Sequence, residues 1–384
     1  MMPQIIFGIS FVSGQVLTLL FPAGRWSVLD VTVLLFGGVT LVRAVLYRTR
    51  TPPMTLWRPM MYVVAAALLV TALRAALYGV AGLGAECLYI GRWFVYALIY
   101  RYLMEEKRDR LSVWRYTLYW SGVSMAVLGL IQLVWYPYLR NLSYLGWDPH
   151  LNRVFSTLFD PNFAGIVYVL TLILGASLYV SGRLSSWWGR AGMLITSVAL
   201  LFTYSRSSFL AAAAAIIIWC IAYRRYALGA ALVVVFMLCI AVLPHGGEGQ
   251  NLFRVASSAA RIGSMKIGWD RLMQAPLLGT GFVARPAGNE PATLSRTGGV
   301  DTSILYVASS GGVIVLVLYL YMIWQQYGIG VRVLQKHTKD AFLLTSLGAV
   351  LVHSIFTNSL LYPWVMAWMW IAVGLVEREL TADR

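Results

Sequence analysis

The stretch AGMLITSVALLFTYSRSSFLAAAAAIIIWCIAY, residues 191–223, decides what kind of fold this chain can form. Two apolar runs, residues 191–202 and 209–223, flank a single polar break, TYSRSS at residues 203–208. Such runs predict two membrane-spanning helices joined by a short turn. Arg206 in that turn is costly, because an arginine at a bilayer centre costs roughly 2.5–3.5 kcal/mol on insertion scales. We therefore expect Arg206 to meet an anion.

The composition indicates that the whole chain, and not only this stretch, is a membrane protein. Of its 384 residues 59% are hydrophobic and 12% charged, with a mean hydropathy of +0.72, whereas a soluble domain has roughly 25% charged residues. Apolar segments long enough to span a bilayer are predicted at about 4–21, 26–47, 59–80, 84–104, 113–135, 162–181, 190–204, 207–223, 226–243, 301–325, 341–358 and 361–376. The predicted fold is all-α, a single polytopic membrane domain over residues 1–384 with about twelve transmembrane helices.

Lys and Arg placement predicts the orientation, because cationic short loops stay in the cytoplasm. With the N-terminus inside, sixteen cations fall in cytoplasmic segments: Arg48, Arg50, Arg58, Lys107, Arg108, Arg110, Arg115, Arg183, Arg190, Arg224, Arg225, Arg332, Lys336, Lys339, Arg378 and Arg384. The short external loops hold Arg25, Arg140, Arg153 and Arg206. Both termini are therefore predicted in the cytoplasm and Arg206 outside. The net charge of +15 largely reflects this bias, so no nucleic-acid partner is expected.

One connection is much longer than the others, residues 244–300, and this topology places it outside. Apolar residues recur there at helical spacing and predict an amphipathic helix on the outer membrane face: Val255, Ala259, Ile262, Met265, Trp269 and Leu272. Arg254 and Arg261 would project from one side of it. A loop of this length is typically a functional lid or binding loop, or else disordered.

Several ionisable residues inside predicted spans need a partner. Arg74 and Arg92 lie in the outer parts of the third and fourth spans, near Glu86. Either these three form structural ion pairs, or they line an outward-facing anionic cavity. Asp30 is expected to be solvated at the outer end of the second span, and His353 is expected to be a hydrogen-bonded packing histidine more than a catalyst.

The outward arginines suggest a phosphate ligand, because a guanidinium group binds phosphate oxygens bidentately. No D-x-D, H-E-x-x-H or similar metal motif occurs on the external side. Three stretches then resemble the O-antigen ligase and O-antigen polymerase family of bacterial surface-polysaccharide enzymes: TYSRSS at 203–208, PLLGTG at 276–281, and VDTS at 300–303 through Gly311-Gly312. The resemblance covers residues 191–326, with 153–162 as weaker support.

This resemblance implies an integral glycosyltransferase at the outer face of the bacterial cytoplasmic membrane. Such an enzyme takes a saccharide from a polyprenyl diphosphate carrier and passes it to a saccharide acceptor, without metal, nucleotide or other cofactor. Its partners are membrane lipid, a flippase and a chain-length regulator. The resemblance implies that Arg206, with Arg254 or Arg261, contacts the diphosphate. Arg153, Arg92 and Arg74 complete the candidate diphosphate-binding set.

The chain departs from the ligase branch at one position. Ligases carry a His-Asn pair where this chain has Val300-Asp301. This difference favours a polymerase of O-antigen, capsule or exopolysaccharide. Asp301 and Arg206 are the candidate catalytic residues, with Asp301 as the base. The alternative role for Asp301 is an N-cap for the span beginning at Thr302. His245 and Glu290 are reserve candidates.

Two rival functions remain open at this point. The first is a polytopic transporter or flippase of lipid-linked saccharide, since such folds also place ionisable residues inside spans. The second is a structural membrane scaffold, which leaves the outward arginines unexplained.

Overall fold

The computed structural model describes residues 2–21, 24–46, 52–80, 82–140, 142, 150–244, 249–252, 255–283, 299–336 and 340–382. These ranges contain thirteen α-helices and one two-stranded antiparallel hairpin. In chain order the elements are α1 (Met2–Ser13), β1 (Thr18–Phe21), β2 (Gly24–Ser27), α2 (Val28–Leu46), α3 (Trp57–Tyr78), α4 (Leu83–Met104), α5 (Arg108–Trp135), α6 (Pro161–Val180), α7 (Trp187–Leu201), α8 (Arg206–Ala222), α9 (Tyr226–Val242), α10 (Val255–Gln274), α11 (Ser303–Gln335), α12 (Phe342–Ser354) and α13 (Pro363–Ala382).

The helices confirm the all-α, multi-pass architecture. Five of them, α2, α3, α5, α6 and α11, are long and apolar enough to cross a membrane, and α1, α8, α9 and α12 are shorter apolar helices. Apart from the N-terminal segment described next, a helix occupies most of each predicted span. The count of twelve crossings and the direction of the helices remain predictions.

The first predicted span, residues 4–21, differs from the structure. Helix α1 ends at Ser13, and β1 pairs with β2 so that Thr18 lies opposite Ser27. Gly14 adopts a left-handed φ of 57°, and a Cβ there would lie 2.3 Å from the carbonyl oxygen of Thr157. The helix stops at this close approach, and a short apolar run fits a strand as readily as a helix.

Local capping explains where the helices around the site begin. Asp160 Oδ1 accepts hydrogen bonds from the backbone nitrogens of Asn162 at 2.7 Å and Phe163 at 3.3 Å, with Pro161 as the first residue of α6. Ser205 caps α8 in the same way through the nitrogen of Ser208. Asp at the N-cap and Pro at the first helical position are favoured for this purpose, so α6 begins at Pro161.

Helix α10 forms where the amphipathic pattern predicts it and packs along the beginning of α11. Its Gly268 allows this contact, since a Cβ there would lie 2.7 Å from Leu305. Ser264 and Leu272 are also buried, whereas Ile262 is 69% and Trp269 56% exposed. The predicted apolar stripe is therefore divided between α11 and the outside of the protein, as expected for a helix that also meets lipid.

Helix α11 breaks at Gly312, where φ is 75° and ψ is 177°. The PLLGTG segment, residues 276–281, fills this break. The backbone nitrogen of Thr280 donates to Ser309 O at 2.8 Å and that of Gly281 to Ser310 O at 3.0 Å. The nitrogen of Val313 donates to Pro276 O at 2.8 Å. The segment thus satisfies backbone groups that the broken helix leaves unpaired, and we call it the PLLGTG latch.

The two ends of the bundle carry different polar networks. At one end, called the site end, Ser208 Oγ on α8 donates to Asn162 O on α6 at 3.2 Å. At the opposite end Arg115 on α5, 2% exposed, binds Asp340 at 3.1 Å and Glu379 at 2.8 Å. The first residues of α8 and α11 lie at the site end together with the last residues of α7 and α12.

Candidate functional site

Arg206 is the first residue of α8 and is half-buried. The N-terminus of a helix carries a partial positive charge, so its backbone and the guanidinium group attract the same anion. The turn before it is held by Arg153, whose Nε donates to Thr203 O at 2.8 Å and whose Nη2 donates to Tyr204 O at 3.3 Å. Arg153 thus lies beside the Arg206 turn and braces it.

Tyr204 fixes the same turn from the other side. Its hydroxyl donates to Pro244 O, just beyond α9, at 2.9 Å. The backbone of Tyr204 has a φ of 48°, in the left-handed region that non-glycine residues rarely adopt. The turn bearing Arg206 is therefore a constrained structure.

A buried network of serines and one histidine follows Arg206. Ser207 Oγ and Ser208 Oγ lie 3.1 Å and 3.2 Å from His353 Nε2. On the other side of the ring, Ser359 Oγ lies 2.5 Å from Nδ1. His353 is fully buried, and the expectation of a hydrogen-bonded histidine is confirmed.

The segment after α12, residues 355–362, is called the α12–α13 loop and connects this network with α10 and α11. Thr302 Oγ1, just before α11, donates to Ile355 O at 3.1 Å. Ser303 Oγ accepts from the nitrogen of Leu360 at 3.2 Å. The guanidinium of Arg261 on α10 lies 5.8 Å from the centre of the Phe356 ring, a cation–π distance.

Asp301 precedes α11 and is exposed. Its backbone nitrogen donates to Ser264 Oγ on α10 at 2.7 Å, one helical turn from Arg261. The N-cap of α11 is Thr302, whose own side chain makes no capping hydrogen bond. The N-cap alternative for Asp301 is therefore wrong, since the helix begins one residue later than that role requires.

Three of the predicted site residues consequently lie around the same short segment, His353 to Phe356. Ser207, the neighbour of Arg206, contacts His353, and Thr302, the neighbour of Asp301, contacts Ile355. The guanidinium group of Arg261 contacts the ring of Phe356. Arg254, His245 and Glu290 lie outside the described residues.

Arg74 is buried and forms an ion pair with Glu86. Its Nη1 also donates to Leu278 O and Ser310 O, both at 3.4 Å. These carbonyls belong to the PLLGTG latch and to the broken part of α11. The contacts favour the structural alternative for Arg74, in which it fixes the latch against the helix.

Arg92 binds Asp30 bidentately, with Nε 2.7 Å from Oδ1 and Nη2 2.9 Å from Oδ2. Tyr96 also donates to Asp30 at 2.8 Å. Asp30 is 3% exposed, so the expectation of a solvated carboxylate is wrong, because the start of α2 packs against α4. Arg74, Arg92 and Glu86 therefore do not form one group: Arg74 pairs with Glu86, and Arg92 pairs with Asp30.

The sequence reading missed the residues that hold the site together, namely Ser264, Ser359, Asn162 and the α12–α13 loop. The available signal was the polar stretch Thr357-Asn358-Ser359 between two apolar segments. Its partners lie far away in the chain, and a local pattern does not reveal them.

These helices and this cluster define a polytopic membrane protein with an arginine- and hydroxyl-rich site at one end of its bundle. Residues 191–320 match the family described as O-Antigen ligase. The resemblance to the O-antigen ligase and polymerase family is therefore confirmed over this region. No curated protein matches the chain. The matched region contains Arg206, Arg261 and Asp301, whereas His353 and the α12–α13 loop lie beyond it.

Proposed function

We propose that this protein is a membrane glycosyltransferase that polymerises, or ligates, polyprenyl-diphosphate-linked oligosaccharide units at the outer face of the bacterial cytoplasmic membrane. Its product would be O-antigen, capsule or exopolysaccharide. The family match supports the class of activity. The observation that carries the proposal is the placement of Arg206, Arg261 and Asp301 around His353–Phe356.

In the proposed reaction a hydroxyl of the acceptor saccharide attacks the anomeric carbon of the donor. The bond between that carbon and the diphosphate oxygen breaks, and the polyprenyl diphosphate leaves with the electron pair. Arg206, at the N-terminus of α8, stabilises the charge that develops on the leaving group, and Arg261 supplies a second cation. The proposal assigns no metal and no cofactor to this step.

The acceptor hydroxyl must lose its proton as the new bond forms. Asp301 is the proposed base, since its carboxylate is exposed and lies beside the beginning of α11. A single carboxylate in this role is typical of general base catalysis. A polymerase and a ligase share this chemistry and differ in the acceptor, which is a second lipid-linked unit in a polymerase.

Substitution of Arg206 tests the proposal. In cells carrying Arg206→Ala we expect polymer to be lost while lipid-linked single units accumulate, with a rate loss of about 10²–10³, as for removal of one preorganised donor. Arg206→Lys should also be poor, because an ammonium group does not reproduce the bidentate contact. Arg190→Ala, exposed at the opposite end of the bundle, is the matched control. Gel analysis measures the polymer, and chromatography measures the extracted lipid-linked units. Normal polymer chain length in Arg206→Ala would contradict the proposed function.

One observation favours the rival transporter. Helix α11 is broken at Gly312, and broken helices often form transport sites. In this chain, however, the PLLGTG latch and Arg74 occupy the break. Reconstitution of the purified protein with a fluorescent lipid-linked oligosaccharide separates the two functions. Longer products support the transferase, and translocation without longer products supports the flippase.

A further inference from the structure

A cavity of about 420 Å³ lies between helices α6, α7, α8 and α9. Its walls are almost entirely apolar. Helix α8 contributes Ala212, Ala215, Ile216 and Trp219, and the other helices contribute mainly Leu, Ile, Val and Phe side chains. A polar occupant such as a saccharide would lose its hydrogen bonds there. A hydrocarbon chain would not.

The cavity begins directly below the turn that carries Arg206. Ala212 is six residues beyond Arg206, about 9 Å along the helix at a rise of 1.5 Å per residue. Leu200 and Leu201, which also line the cavity, end α7 just before the same turn. From there the cavity follows α8 to Trp219, about 20 Å from Arg206 along the helix axis. Its long dimension therefore runs into the bilayer, away from the charged turn.

Helix α9 gives the cavity a wall that faces lipid. Leu232, Val235, Phe236 and Cys239 line the cavity, and Gly229 is the buried residue of this helix. Neighbouring side chains of α9 point outward, Met237 for example with 58% of its surface exposed. On this side a single helix, α9, therefore separates the cavity from the lipid.

We propose that this cavity receives the polyprenyl chain of the donor while its diphosphate lies at Arg206. The assignment rests on the proposed function and adds a second binding region to it. The chain is bonded to the diphosphate, so it must leave Arg206 into apolar space close by, and the cavity begins there. An engineered apolar cavity of roughly 150 Å³ holds one benzene molecule, so this cavity has room for about three five-carbon units.

Substitutions on α8 distinguish the cavity from the rest of the helix. Ala212→Phe fills its upper part, and Ala215→Phe is a second filling variant in case the first does not fold. Ala214→Phe is the matched control. It lies about 200° around the helix from Ala212, on the side where Leu210 and Ile217 are half-exposed, and it does not line the cavity.

The first measurement uses a polyprenyl diphosphate with a photoreactive group near its diphosphate end and the full-length protein in lipid nanodiscs. We expect cross-links to α8 and α9 that unlabelled polyprenyl diphosphate displaces and phosphatidylglycerol does not. Labelling should fall at least tenfold in either filling variant and stay unchanged in Ala214→Phe. Equal labelling of outward residues such as Ile217 and Met237, or displacement by phosphatidylglycerol, would show an ordinary lipid crevice and overturn the assignment.

The second measurement compares donors of different chain length. Filling the cavity should raise the KM for a long-chain donor about tenfold and leave a donor with one prenyl unit unaffected, because that chain is too short to reach Ala212. Equal losses with both donors would overturn the assignment. If the donor labels the cavity but no transfer occurs, the proposed function is wrong and the cavity assignment is kept. If transfer occurs without labelling of the cavity, the cavity assignment is wrong and the proposed function is kept.

Discussion

His353 connects the candidate site residues without being one of them. Its Nε2 meets Ser207 and Ser208 in the first turn of α8, and its Nδ1 meets Ser359 in the α12–α13 loop. The same loop contacts the residues that begin α11. His353 therefore holds the turn bearing Arg206 in a fixed place relative to Asp301. This is a positioning role, since no atom of the buried ring needs to touch substrate.

Replacing His353 tests this role. In His353→Ala we expect the free energy of unfolding to fall by about 1–3 kcal/mol for each buried polar group left unpaired, and the transfer rate to fall with it. His353→Gln should recover part of both, because its amide offers two polar atoms. Thermal unfolding and initial transfer rates measure the effects. A folded His353→Ala protein with full activity would contradict the role.

The proposed role of Asp301 as a base can be tested separately from the structure at the start of α11. Asp301→Asn keeps the shape of the side chain but removes the base, so the transfer rate should fall by about 10²–10⁴. Thr302→Ser is the control and should change the rate little, because it keeps the hydroxyl that donates to Ile355 O and serine is also suited to the N-cap position of α11. Rates with saturating donor and acceptor measure both. Comparable losses in the two variants would mean that the site depends on the helix start and not on the carboxylate.

Sequence reasoning identified single residues better than their partners. Arg206 is conspicuous because it interrupts two apolar runs, whereas Arg261 and Asp301 are candidates through the family resemblance, and the roles of all three stay predictions. The bidentate pair of Arg92 and Asp30 was missed, since these residues lie 62 positions apart and hydropathy alone placed Asp30 in water. A pair of this kind depends on how α2 packs against α4, which no local pattern specifies.

At the scale of the element, the PLLGTG latch fixes the break in α11. Gly279 has a φ of 64° and Gly312 a φ of 75°. A Cβ on Gly279 would lie 2.2 Å from Ser310 O, and one on Gly312 would lie 2.0 Å from Leu277 O. Both glycines are therefore required by the conformation and by the close contact of two backbones.

Alanine at either position should release the latch. We expect Gly279→Ala and Gly312→Ala each to cost at least about 1–3 kcal/mol in the free energy of unfolding, from backbone strain and steric overlap. Gly91→Ala on α4 is the control, because a Cβ there meets open space and removing a helical glycine stabilises by about 0.5–1 kcal/mol. Thermal unfolding in detergent measures all three. Unchanged stability in both latch variants would show that the segment is held by other contacts.

The elements themselves were largely predictable, and the exceptions have a physical cause. Apolar runs and N-cap residues are local signals, so the helices and the start of α6 at Pro161 follow from them. The hairpin of β1 and β2 was missed because an apolar run of that length fits either structure. The break at Gly312 and the latch that fills it depend on contacts between residues about 30 positions apart, and the motif was recognised only as a family resemblance.

At the scale of the whole molecule, the end opposite the site forms a rigid frame. Arg115 is buried between Asp340 and Glu379, and Ser177 Oγ donates to Asp340 at 2.9 Å. These contacts join α5, α6, α12 and α13. Removing one partner of a buried ion pair costs about 3–5 kcal/mol, so this network keeps α6 and α12 in register, and both helices carry site residues at their other ends.

The two ends should also face opposite sides of the membrane. The charge bias predicts that the site end lies outside, since cationic segments stay in the cytoplasm. With Cys87, Cys220 and Cys239 replaced by alanine, Asn251→Cys and Arg190→Cys each introduce one exposed thiol, in the long loop and at the opposite end respectively. A small membrane-impermeant maleimide should label Asn251→Cys in intact cells and Arg190→Cys only after the membrane is opened, as read by mass shift. The reverse pattern would place Arg206 in the cytoplasm, away from an outward-facing donor, and would contradict the proposed direction of the reaction.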